Sequence, residues 1–322
     1  VVARNSHGQW PHRIDSLRRE LQGRNLVRRH HKAAVAVAGI ATICAAVAGL
    51  THAQPQISPQ RPDALSEGEK DLLHEAEETL TRSCMAGKGF KTWVVPRRPV
   101  PDDREFPYVI DDVAWASRHG YGSGILAQRA KVRVSDPNRQ YFAGLTSPER
   151  QRALDALHGE KSGKRISVKS PNGMTFSRVD GGCTADAQKA LYGDLETWFR
   201  VLTVTDALET LRSSMTAGDA EFAKSVKDWS ACMHARGLPY KTPQEARAAF
   251  LNSHRRISRE REIRAAVTEA RCAESSGLSR TIHRLDEQHG KRLRQQYQDE
   301  VRTRLRMENE ALPHARAAVR SS

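Results

Sequence analysis

Asp228-Trp229-Ser230-Ala231-Cys232-Met233-His234-Ala235-Arg236-Gly237-Leu238 has an earlier counterpart in Thr81-Arg82-Ser83-Cys84-Met85-Ala86-Gly87-Lys88-Gly89-Phe90. The two stretches share a Cys-Met pair, a basic residue three positions after the methionine, then a glycine and an apolar residue. Each reads as the last turns of an amphipathic helix closed by glycine. Glycine accepts the left-handed conformation that ends a helix, and a cation just before it faces the negative end of the helix dipole. One further cysteine follows each copy, Cys183 after the first and Cys272 after the second. This pattern implies two half-related helical units, each tied by a disulfide.

Composition is consistent with a helical, well-solvated chain. The 322 residues are 38% hydrophobic and only 6% aromatic, which is enough for a core but a modest one. The formal charge of +14 admits an anionic partner. It is concentrated at the ends: the first 32 residues carry eight Lys/Arg against two acids, and those after His254 carry sixteen against ten. In the C-terminal part, cations alternate with acids along a helical pattern, which describes a solvated face better than a nucleic-acid stripe.

Residues 33–50 form an uninterrupted apolar, alanine-rich run after Arg28-Arg29-His30-His31-Lys32 and before Thr51-His52-Ala53-Gln54. A basic segment, an apolar segment and small residues before the break describe a secretory signal cleaved after Ala53. The run also approaches the length of a membrane span, so an uncleaved anchor is the alternative, and transient membrane contact through 33–50 is implied either way. The chain opens with Val, and a start at Val27 would give a shorter, more ordinary signal. Residues 1–53 are therefore set apart from the fold as signal peptide or gene-model extension, and 54–62 as a Pro/Gln linker.

From residue 63 the pattern predicts a mainly α fold: a disulfide-tied helical bundle with a small β-hairpin and a long C-terminal helix. A first unit is expected over 63–218, a second over 219–310 and a tail over 311–322. Ser66-Glu67-Gly68-Glu69 is a capping box, followed by Leu72, Leu73, Ala76, Leu80 and Cys84 on one stripe. Residues 90–95 read as a short strand, and Asp111-Asp112 as the cap of a short helix stopped at Gly120. Ser147-Pro148-Glu149 opens another helix, which ends at Gly159. Ser170-Pro171-Asn172-Gly173 separates two β-rich runs, giving a hairpin near 166–178. The segment from Leu195 to Leu211 carries the richest apolar stripe. Thr242-Pro243 starts a further helix, and one apolar group per turn from Leu278 to Leu305 predicts a single long helix.

The cysteines are the strongest chemical signal. Four lie beyond the export segment (Cys84, Cys183, Cys232 and Cys272), and an even number there implies disulfides with three possible connectivities. The repeat and the shorter loop favour Cys84–Cys183 with Cys232–Cys272. A zinc site would need close Cys-x-x-Cys or Cys-x-x-His pairs, and there are none. The stretch 159–165 is one residue short of a phosphate loop, has Arg165 where Ser or Thr belongs, and precedes a strand. No Gly-x-Ser-x-Gly elbow or His-Glu-x-x-His pair occurs, and no motif implies a metal or cofactor. The candidate binding surface is the aromatic and charged loop of Tyr108, Asp111, Asp112, Trp115, Arg118, His119 and Tyr121, next to Phe106. The plainer alternative, which the sequence favours, makes Trp115 and Tyr121 core and Asp111 a helix cap.

The doubled Cys-Met-x-x-[Lys/Arg]-Gly, Asp111-Asp112-Val113-Ala114-Trp115-Ala116-Ser117-Arg118-His119-Gly120-Tyr121-Gly122 and Gly181-Gly182-Cys183-x-x-x-Ala187 together resemble a group of uncharacterised exported proteins of high-GC actinomycetes. The resemblance spans roughly residues 65–285. It implies export and a shared fold, and brings no activity with it. The expectation is an exported, non-catalytic binding or cell-envelope-associated module, with an anionic envelope polymer or an envelope protein as partner. The alternative is a hydrolase of envelope or extracellular polymer, with Asp111 or Asp112 as acid/base groups.

Overall fold

The computed structural model describes residues 64–252 and 257–321; the signal segment and linker expected over 1–62 lie outside them. Among the described residues there are twelve helices and one two-stranded antiparallel sheet. In chain order the helices are α1 (Glu67–Gly87), α2 (Val113–His119), α3 (Ser123–Ser135), α4 (Pro137–Gly144) and α5 (Ser147–His158). The strands β1 (Arg165–Lys169) and β2 (Thr175–Val179) follow, then α6 (Cys183–Tyr192) and α7 (Leu195–Ala217). The chain closes with α8 (Ala220–His234), α9 (Pro243–Leu251), α10 (Arg259–Ser275), α11 (Leu278–Gln296) and α12 (Gln298–Arg320).

Many helix starts follow local sequence rules. Ser66 and Glu69 form the expected capping box, and Thr146 pairs with Glu149 in the same way. Asp112, Asp194, Asp219, Thr242 and Ser258 each accept a backbone N–H in the first turn of the helix they open. In the hairpin, Ile166 faces Arg178 and Val168 faces Phe176. Its turn closes through Gly173 N donating to Ser170 O at 2.8 Å, with Ser170 N donating to Met174 O at 2.8 Å.

The doubled motif ends both helices with the same hydrogen bonds. Phe90 N donates to Met85 O at 2.9 Å and Gly89 N to Ala86 O at 3.0 Å. In the second copy Leu238 N donates to Met233 O and Gly237 N to His234 O, both at 3.0 Å. This is the Schellman arrangement, and it requires the positive φ of Gly89 (80°) and Gly237 (75°). Met85 and Met233 are fully buried, while the neighbouring Cys84 and Cys232 are half-buried at the margin of the core. From there Cys84 bonds Cys183 at the start of α6, and Cys232 bonds Cys272 in α10, with Cα separations of 5.5 and 5.7 Å.

The core does not divide at 218/219. One sub-core joins α1, α6 and α12 through Leu73, Ala76, Leu191, Ala311 and Leu312, and continues under the hairpin to α7 through Ile166, Trp198, Val201 and Met307. The other gathers residues 100–125 with α8 to α11, around Ile110, Trp115, Trp229, Met233 and Leu278. The two units are therefore exchanged in chain order. The segment after the first Cys-Met helix belongs to the second sub-core, and the last helix belongs to the first. Residues 61–322 form a single compact unit.

Three further expectations are corrected. Residues 90–95 form no strand, because the side chain of Asn138 serves the backbone there. It accepts from Trp93 N and donates to Trp93 O, both at 2.8 Å. The long helix from Leu278 breaks at Tyr297 (φ −114°, ψ 34°). Tyr297 ends α11, whose Ile282 and Leu285 serve the second sub-core, and frees α12 to lie along α1, α6 and α7. Of the expected tail over 311–322, residues 311–320 are the last part of α12, where Ala311, Leu312 and Ala315 are buried.

Non-reducing peptide mapping should yield Cys84–Cys183 and Cys232–Cys272 linked peptides. Replacing Cys272 by Ser should cost about 2–5 kcal/mol in denaturant unfolding. Gly237→Ala, which strains the left-handed cap, should cost about 1 kcal/mol. A Cys84–Cys232 linked peptide would contradict the pairing.

Candidate functional site

The segment selected as a binding surface is mostly interior. Tyr108, Trp115 and Tyr121 are each no more than 6% exposed, and Phe106 packs on Trp115 with ring centroids 4.8 Å apart. The Tyr108 hydroxyl donates to Asp286 of α11, which also accepts from Thr216 Oγ1 at 2.7 Å. Burial, reinforced by that carboxylate, raises the Tyr108 phenol above its ordinary range.

The charged members are engaged separately. The cap of α2 is Asp112 rather than Asp111: it accepts from Trp115 N at 2.8 Å and pairs with Arg104 at 2.5 Å. The Trp115 amide, then the Arg104 guanidinium, hold its carboxyl below the usual aspartate range. Asp111 lies 3.3 Å from His283 Nε2. His119 lies 3.8 Å from Asp102 and against the Trp115 ring. The Arg118 side chain is exposed, and its carbonyl accepts from Arg259 at 2.5 Å. These groups face different neighbours and do not converge on one pocket.

Two carboxylates from α10 hold this segment in place. Glu262, 5% exposed, accepts from Tyr121 N at 2.9 Å and Ser123 N at 3.1 Å through Oε1, and from Ser123 Oγ at 2.5 Å through Oε2. The glycine-rich turn at 120–124 thus cradles an anion, and the anion belongs to the same chain. Gly120 is required for this approach: a Cβ there would stand 2.8 Å from Glu262 Cγ. Glu262 does for α3 what a local N-cap side chain does for other helices.

Glu269, one heptad later, is fully buried. Its Oε1 accepts from Ile110 N at 3.0 Å, and the Tyr121 phenol lies near its carboxyl. Neither Oε2 nor the Tyr121 hydroxyl completes a hydrogen bond. Burial pushes the Glu269 carboxyl up to about 7, against the opposing influence of Tyr121, the Ile110 amide and Arg247. The same desolvation raises the Tyr121 phenol strongly.

A separate, open cleft of about 580 Å³ lies between the hairpin, the start of α7 and the α11–α12 break. It is lined by Ser167, Lys169 and Ser170 on one side and by Glu196, Thr197 and Arg200 on another, with Tyr297 and Glu300 at the break. No motif drew attention to this cleft, because its walls come from three distant parts of the chain. Among the described residues no cluster of His, Cys, Asp and Glu has the form of a metal site.

Because the folded Glu269 holds its proton to about pH 7 and the unfolded one releases it near 4.5, unfolding frees a proton between these values. Stability attributable to this group is therefore fully present below about 4.5, declines as pH rises and levels off above about 7. Glu269→Gln should remove that slope and be the more stable protein at pH 8, by on the order of 3 kcal/mol in paired urea titrations. Glu262→Ala, which strands two amides and a hydroxyl, should cost about 2–4 kcal/mol in the same titrations. Comparison with protein-family models, with curated proteins and with solved structures finds no match.

Proposed function

We propose that this chain is an exported, disulfide-stabilised module that binds at the cell envelope without catalysing a reaction. The observation that carries this reading is the pair of disulfides, Cys84–Cys183 and Cys232–Cys272. Such bonds persist in oxidising compartments and are reduced in the cytosol. One of them also ties α10, whose buried face in the second sub-core is largely alanine (Ala265, Ala266, Ala270 and Ala273), to α8. From Gln54 onward the chain keeps 44 Lys/Arg against 36 Asp/Glu, a formal charge of +8, which supports an anionic envelope polymer as partner, or an envelope protein with an acidic face. Among the described residues no helix is long and apolar enough to cross a membrane, and an anchor at 33–50 would lie outside them.

For the hydrolase alternative, Asp112 is engaged as the α2 cap and by Arg104, while Asp111 stands 3.3 Å from the exposed His283.

Expression of the full chain in a secreting bacterial host tests the reading. The expected product is extracytoplasmic, begins at Gln54 and has no titratable thiol, since Cys44 leaves with the signal. One thiol per chain in the exported fraction would mean an uncleaved anchor, and a cytosolic product with residues 33–50 intact would contradict export. Retention on an anionic envelope polymer should weaken steeply with salt, because exposed charges are screened beyond about 8 Å at physiological ionic strength. Retention unchanged by salt would exclude the electrostatic partner.

A further inference from the structure

The cleft at the α11–α12 break has the size of a small-ligand site: its 580 Å³ falls within the range of about 300–1,000 Å³ typical of such pockets. It lies where the fold departs from its own local rules. A continuous amphipathic stripe runs through Tyr297, yet the helix stops there, and Tyr297 and Glu300 line the opening. Opposite them the hairpin contributes Ser170, only 3% exposed, whose Oγ has no hydrogen-bond partner.

The charges restrict the ligand. Three carboxylates (Asp194, Glu196 and Glu300) face two cations, Lys169 and Arg200. Asp194 is occupied as the cap of α7, and Arg200 lies 3.4 Å from Glu300. A phosphate would meet more negative than positive charge, and a simple cation would meet Lys169 and Arg200. An apolar ligand would take Lys169 and Glu196 from water without replacing their hydrogen bonds. What remains is a neutral ligand rich in groups that both donate and accept. Sugar hydroxyls do both: they donate to Glu196 and Glu300 and exchange hydrogen bonds with Ser167 and Thr197, while a sugar's C–H face packs on an aromatic ring such as Tyr297.

We propose that this cleft binds a short saccharide unit of a neutral glycan. This deepens the proposed envelope role by naming a ligand class and rests on that reading only for where the glycan is met. It adds a recognition site distinct from the charge-driven association.

The test is calorimetric titration of the purified, fully oxidised chain with a β-1,4-linked N-acetylglucosamine trimer, maltotriose and xylotriose, with inorganic phosphate and a neutral tetrapeptide alongside. At least one trisaccharide should bind, with affinity unchanged between low and high salt. Tyr297→Ala should weaken it at least about tenfold. Glu196→Gln, at an exposed position, should do the same without affecting the fold, so the test survives if the tyrosine variant is unstable. Binding of none of the three, binding that survives both substitutions, or occupation of the cleft by the peptide or phosphate instead would overturn the proposal. Export failing while trisaccharide binding holds would overturn the envelope role and leave the site standing.

Discussion

The second sub-core depends on two carboxylates held inside it. Charged groups are removed from water at high cost, and that cost is tolerated only where hydrogen bonds replace the lost hydration. Glu262 receives three, from two amides and a hydroxyl around the 120–124 turn. Glu269 receives the Ile110 amide and is driven toward its neutral form. Between them they position a segment that has little regular structure of its own between the end of α1 and the start of α2. The short α2 then packs closely on α10, because Ala116 meets a helix face made largely of alanine.

This arrangement explains why the aromatic members of the conspicuous loop are turned inward. Its aromatic residues supply bulk against the small side chains of the α10 face, and Gly120 lets a glutamate approach the backbone. Phe106, Trp115, Tyr121 and Phe250 pack pairwise there, with Tyr121 and Phe250 stacked at 4.7 Å. The exchange of segments between the sub-cores follows from the same economy. The helix pair α7 and α11 bridges them, so the chain can supply each half from both of its ends.

Local signals proved legible in the sequence. The capping boxes, the hairpin, the glycine-closed Cys-Met helices and the cysteine pairing each depend on residues only a few positions apart or on a repeat. What was not legible depends on distant partners. Glu262 and Glu269 lie seven residues apart on the same face as Ala266, Ala270 and Ala273, but the apolar stripe of Ile263, Val267 and Ala270 gives no sign that two acids turn inward beside it. The break at Tyr297 involves neither proline nor glycine, and it serves two sub-cores that no local pattern announces. The cleft walls have the same origin, since Thr197, Ser170 and Tyr297 meet only after the fold is complete.

The adjacency of cysteine and methionine in both copies also directs redox chemistry. Consecutive helical residues diverge by about a third of a turn, so turning the methionine fully inward leaves its cysteine at the rim. Each disulfide therefore has one half-buried sulfur, on Cys84 or Cys232, and one on a fully buried residue, Cys183 or Cys272. An attacking thiolate reaches the rim sulfur first, which makes the interior cysteine the leaving group. Expelling a thiolate into an apolar interior is unfavourable, because burial raises a thiol's pKa and a poorer leaving group departs more slowly. The geometry that seats the methionine thus makes both crosslinks slow to open by thiol exchange.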